Sequence, residues 1–190
     1  QNDIQNNPGI RQYGIIDLLD GGRSAAFTGE NCLDYKGHIT GQTYSIQGNI
    51  LLGEEILIQM ENNFINTDGT LADKLIAALQ GANIPGADTR CLDDGISSLS
   101  SFIRVANSND SPDDLFLDLR VNNTFGENEP IDSLQILYDQ WLIDNINFNL
   151  GDINQDQIID ILDVVQLINF ILGQTNFDFT ELYLADCNSD

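Results

Sequence analysis

Residues 152–163 read DINQDQIIDILD. Asp152, Asn154, Asp156, Asp160 and Asp163 stand at positions 1, 3, 5, 9 and 12 of a twelve-residue loop, and Ile158 at position 7 offers its backbone carbonyl. That spacing is the ligand pattern of an EF-hand loop, where Ca2+ takes a set of hard oxygens at about 2.3–2.6 Å. Ile159, at position 8, is expected to pack beneath the loop. Beyond it, Ile161, Val164, Val165, Ile168 and Leu172 recur at helical spacing and Gly173 stops the run. The competing reading is an Asp-rich solvated turn with helix caps. Two positions depart from the pattern. Position 6, normally Gly for its sharp turn, is Gln157, where a positive φ costs about 1–2 kcal/mol. Position 12 is Asp rather than Glu.

The loop recurs. Asp186, Asn188 and Asp190 reproduce positions 1, 3 and 5, and 186 − 152 gives a repeat of 34 residues. Residues 150–190 resemble a dockerin, a pair of tandem calcium-loop-plus-helix repeats, with the second repeat cut after its fifth loop position. The resemblance implies an extracellular docking module whose partner is a cohesin domain.

Outward from this tail, the composition narrows the function classes. The chain has 190 residues, with 30 acids against 7 bases and a net charge of −23. Phosphate binding needs clustered Lys and Arg, so a general nucleic-acid binder is excluded. Anionic membranes are disfavoured on the same ground. No apolar run approaches the roughly 20 residues of a membrane span. Hydrophobic residues make up 42% of the chain, enough for a true core. From Leu150 onward there is no Lys or Arg at all, which places a domain boundary there: 1–149 and 150–190. A surface so acidic suits a salty or calcium-rich medium, and the dockerin resemblance implies that the chain is secreted. The absence of an initiator Met and of a signal peptide leads to the expectation of a processed form or fragment.

Residues 13–17 and 23–27 read as a hairpin across Asp20-Gly21-Gly22. Residues 29–41 read as loop and 44–47 as a short strand. Helices are expected over 53–63 and 71–80, the second with Thr70 as N-cap and Asp73 in a capping box. Residues 82–95 read as loop, 97–106 and 115–121 as strands, and Pro130 opens a helix to about Asp144. The order implies an α+β domain with helices packed on antiparallel sheet. The aromatic residues Phe64, Phe102, Phe116, Tyr138 and Trp141 are expected in the core.

Asn7-Pro8-Gly9, Arg11 to Asp17, Thr28 to Cys32, Gly37-His38, Gln47-Gly48-Asn49, Gly86 to Arg90 and Asp118 to Val121 occur in an order that resembles the family of domain of unknown function 1028. The resemblance spans residues 7–141. It implies an Ntn-hydrolase-like αββα sandwich, here partial, with about 70–80 further residues in family members before this point. An Ntn enzyme attacks an amide with an N-terminal Thr, Ser or Cys. Gln1 has no such nucleophile, so the implied amide-bond hydrolysis calls for a separate N-terminal fragment. The alternative is a non-catalytic extracellular assembly protein, a homo-oligomer or polymer in which a neighbouring copy fills the gap.

Weak catalytic candidates are His38, the only histidine, as an acid–base group, and Asp88 with Arg90 as an orienting pair. The bland readings are a loop anchor for His38 and a structural ion pair for Asp88 and Arg90. Cys32 and Cys91 lie in loops, and a secreted context makes a disulfide between them the expectation. Cys187 is expected free or intermolecular.

Overall fold

The computed structural model describes residues 7–123, 128–145, 149–177 and 179–186. The chain divides into two compact units, Gln1–Ile136 and Leu137–Asp190.

The first unit opens with the expected hairpin. β1 (Gln12–Asp17) pairs antiparallel with β2 (Arg23–Thr28), and Tyr13 stands opposite Phe27 and Ile15 opposite Ala25. The turn places Asp20 at φ 52 and Gly21 at φ 86, the left-handed region that an Asp-Gly pair tolerates. A second hairpin pairs β3 (Gly37–Thr40) with β4 (Ser45–Gly48). β3 corrects the sequence reading, which assigned its residues to a loop. Gly37 and Gly41 bracket only two apolar or β-branched residues, Ile39 and Thr40, too few to give a period.

One face of β1–β2 lies on this second hairpin. Gln12 Nε2 donates to the Gly48 carbonyl at 2.8 Å and the Gly37 carbonyl at 3.2 Å, and Asn49 Nδ2 donates back to Gln12 Oε1 at 2.8 Å. The Ser24 hydroxyl donates to the Gly41 carbonyl. The layers approach so closely at Gly14 that a Cβ there would sit 2.5 Å from the Gln47 side chain. Alternation then turns Tyr13, Ile15 and Phe27 to the opposite face. They are 43%, 67% and 44% exposed.

α1 (Glu54–Asn66) and α2 (Leu71–Gly81) pack on each other, and α1 packs on the second hairpin. α1 buries Ile56 and Leu57 in its first turn. α2 buries Ala72, Ile76 and Ala78, while Leu71 is exposed. The helices touch at Gly81, where a Cβ would lie 2.6 Å from the backbone of Gln59 and Met60. Thr70 forms the expected capping box: its hydroxyl accepts from Asp73 N–H at 3.3 Å, and the Thr70 N–H donates to Asp73 at 2.7 Å. Thr70→Ala should therefore cost about 1 kcal/mol, read as a lowered urea midpoint. A midpoint equal to that of the parent would remove the cap from the account.

β5 (Ser101–Val105) pairs antiparallel with β6 (Leu117–Val121). Ser101, Ile103 and Val105 are buried, and the Ser101 hydroxyl donates to the Pro130 carbonyl at 2.7 Å. The other face carries Arg104 and Arg120, both paired with Asp118 at 3.0 and 2.8 Å. Phe102 and Phe116 are 63% and 45% exposed, against the expectation of core burial. Phe102 falls on the strand face away from the buried Ile103, and alternation leaves it no core to enter.

α3 (Pro130–Asn145) carries the chain from the first unit into the second, which continues with α4 (Ile161–Ile171) and α5 (Phe179–Ala185). Leu134 and Tyr138 of α3 are buried. The fold is mixed α and β, and among the described residues its strands form three separate two-stranded sheets. No helix among the described residues is long and apolar enough to cross a membrane.

Candidate metal centre and the sequence-predicted residues

The loop before α4 is built on its own carboxylates. Asp152 accepts the N–H of Asp156 at 3.1 Å through one oxygen and the N–H of Gln157 at 2.9 Å through the other. Asn154 accepts the Asp156 N–H at 2.9 Å and donates to the Asp156 carboxylate at 3.0 Å. Asp156 accepts from Ile158 N–H at 2.8 Å. Asp163 reaches back from the first turn of α4 and accepts from Asn154 N–H at 3.0 Å and Asp160 N–H at 2.8 Å. Positions 1, 3, 5 and 12 are thereby drawn together. Asp160 is turned the other way, capping α4 by accepting from Leu162 N–H at 2.7 Å. Gln157 sits at φ 72, so position 6 takes the left-handed turn without glycine, and Gln155 joins it at φ 58.

Asp152 and Asp163 are 5% and 2% exposed. Among the described residues neither makes an ion pair, and residues 150–190 contain no Lys or Arg to supply one. Buried charges are ordinarily paired with a counter-charge or bound to a metal. The donor set of Asp and Asn oxygens is the hard set that Ca2+ takes. The residues therefore fit the ion, although among the described residues no three acidic, His or Cys side chains are already closed into a metal-binding cluster. Ile159 is 62% exposed rather than tucked under the loop; Ile153, at position 2, is the apolar residue buried there. The sequence signal for Ile153 was its place between two ligand positions. Asp186 lies at the C-terminal end of α5, while Asn188, Asp190 and Cys187 fall outside the described residues.

The backbone N–H groups of Asp160 and Asn154 hold the Asp163 carboxyl below the usual carboxylate range, against the opposing effect of burial. The fold thus favours the charged form. Its stabilisation is fully present above the unfolded value near 3.9 and is lost as pH falls through the lower folded value. In chelator, the helix signal of the parent should decline below about pH 4 more steeply than that of Asp163→Asn. Parallel acid profiles for the two proteins would contradict this role for Asp163.

Among the described residues, no hydrogen bond joins the catalytic candidate His38 to Asp88 or Arg90. His38 stands on β3, exposed, with its Nδ1 2.9 Å from the Thr28 hydroxyl of β2. Asp88 accepts from the Arg90 guanidinium at 2.9 Å and from the Arg90 N–H at 3.0 Å, closing the short helical turn Thr89–Cys91. The guanidinium lowers the Asp88 pKa, and the pair behaves as a loop fastener. His38 bonds to neither partner.

The expected Cys32–Cys91 disulfide is not formed: both thiols are free and buried. The Cys32 sulfur faces the Arg11 carbonyl at 3.5 Å, and burial raises the Cys91 pKa. Loop membership said nothing about whether the two Cα atoms come within the roughly 4.4–6.8 Å that a bridge requires.

The tail, residues 150–190, matches the dockerin type I domain. Dockerin type I domains bind calcium, dock on cohesin partners and occur in extracellular proteins. No curated protein matches the chain. Among solved structures, the chain is similar to protein SPO2555 from Silicibacter pomeroyi, at 28% identity and a TM-score of 0.55. That match takes in 74% of this chain and 55% of the other, so the chain spans about half the length of its solved relative. The relative's own description carries the label DUF1028. The family of unknown function DUF1028 matches residues 2–134 here, and the chain belongs to that family.

Proposed function

We propose that this chain is a secreted, extracellular docking protein, with a DUF1028 domain over residues 1–149 joined to a calcium-binding dockerin module over 150–190. The observation that carries the reading is the pair of buried, unpaired carboxylates, Asp152 and Asp163, in a segment without a basic side chain. Asp152, Asn154, Asp156 and Asp163 would hold the ion with the Ile158 carbonyl. Asp160, committed to the helix cap, would act at position 9 through water. Asp186, Asn188 and Asp190 would begin a second site. The docking partner is a cohesin domain. Binding of the full chain to an immobilised cohesin in calcium, and its loss in chelator, is the test. Equal binding in both media would defeat the calcium-dependent part of the reading, and no binding in either would defeat docking.

For the first domain, the stacking of β1–β2 on β3–β4, with α1 beyond, supports a partial αββα sandwich of the Ntn-hydrolase type. The alternative roles for this domain are amide hydrolysis and non-catalytic extracellular assembly. In the latter role the gap in the sandwich is filled from outside residues 7–136, by an N-terminal fragment or a neighbouring copy.

A further inference from the structure

Polar side chains fill the seam between the first two hairpins. On the β1–β2 side Gln12, Ser24 and Thr28 turn to it, and on the β3–β4 side His38 and Gln47 do. Layers of sheet ordinarily meet through apolar side chains. Patterning of this kind is broken chiefly at functional or strained sites.

The hydrogen bonds of the seam run in one direction. The carbonyls of Gly37 and Gly48 can only accept, so the edge of Gln12 that faces them, at 3.2 and 2.8 Å, is its NH2 group. The Gln12 oxygen then accepts from Asn49 Nδ2 at 2.8 Å. The same NH2 group donates to Thr28 Oγ1 at 3.0 Å. A hydroxyl carries one hydrogen, and Gln12 already occupies one of its lone pairs. The Thr28 hydrogen is left to point at His38 Nδ1, 2.9 Å away. That distance is within the reach a hydroxyl nucleophile and its base require. His38 is exposed and Thr28 half-buried, so the pair is open to solvent.

We propose that Thr28 and His38 are a nucleophile–base couple for acyl transfer, held in register by Gln12 as a positioning residue. Neutral His38 carries its proton on Nε2 and accepts at Nδ1. Thr28 Oγ1 attacks an acyl carbon as Nδ1 takes the hydroxyl proton. The bond from that carbon to the leaving group breaks, and the leaving group receives the proton. Water then attacks the ester on Thr28; its proton passes through Nδ1 back to Oγ1, and the carboxylic acid departs. The substrate class is an acyl ester or amide. Only the amide part rests on the hydrolase reading of the first domain, and nothing here depends on the calcium loop.

Two measurements on the full chain test the couple. The first is the nitrogen NMR spectrum of its single histidine, 15N-labelled, in mildly alkaline buffer. Nε2 should be protonated and Nδ1 not, and Gln12→Met should mix the two tautomers. A parent protonated on Nδ1 would overturn the proposal. The second follows p-nitrophenolate release from p-nitrophenyl acetate and maps the acetyl group by peptide mass spectrometry. Acetyl should appear on Thr28. His38→Asn and Thr28→Val should each slow release by about a hundredfold, while Thr28→Ser keeps it. No acetyl on Thr28 would overturn the couple, as would a Thr28→Val rate equal to the parent's, which would mean that the imidazole acts alone. Acetyl on Thr28 without cleavage of p-nitroanilide amides would uphold the couple and remove the amide-hydrolysis reading.

Discussion

Replacing Leu57 with alanine is expected to lower the stability of the first unit by about 2–5 kcal/mol, the range for truncating a fully buried leucine. Leu57 is 2% exposed and sits in the first half of α1. Its Cδ1 lies 3.3 Å from where a Cβ on Gly37 would be, so the side chain fills the seam between α1 and β3. The loss combines the transfer of its methyl groups with the cavity left behind, since a seam fixed by a helix on one side and a ladder on the other relaxes little. Ile58, the next residue, is 42% exposed and serves as the control. Ile58→Ala should shift the denaturant midpoint far less. Comparable shifts for the two variants would show that α1 does not pack where the structure places it.

Calcium is expected to raise the thermal midpoint of the second unit. An ion that binds only the native state adds about 2.7 kcal/mol at a free concentration a hundred times its dissociation constant. The source of the effect is electrostatic. Asp152 and Asp163 are both buried, in a segment, residues 150–190, that has no Lys or Arg to neutralise them. The double variant Asp152→Ala, Asp156→Ala removes positions 1 and 5 and should unfold at the same temperature in calcium and in chelator. A calcium response as large as the parent's would mean that the ion binds elsewhere.

Periodicity in the sequence located most elements of this fold. The 13–17 and 23–27 hairpin, the helices opening at residues 54, 71, 130 and 161, and the Thr70 capping box all rest on local signals that survive folding. β3 escaped because the three residues between Gly37 and Gly41 carry no period, and α5 because its short apolar run adjoins a calcium-like repeat. The metal loop was legible at the level of spacing. Which apolar residue lies under it was not, because Ile153 and Ile159 look alike until the chain bends at Gln155 and Gln157. The disulfide and the burial of Phe102 and Phe116 failed for one reason. Each depends on what a segment faces across the fold, and local patterning is silent about that.

Among the described residues, every ladder in the first unit joins strands adjacent in the sequence: β1 to β2, β3 to β4 and β5 to β6. The contact order of the sheets is therefore low, and each hairpin can close on the microsecond scale of local loop closure, without waiting for a distant segment. Its local pieces form early, and the stacking of one hairpin on the next, which joins segments far apart in the sequence, is left to the later and slower events.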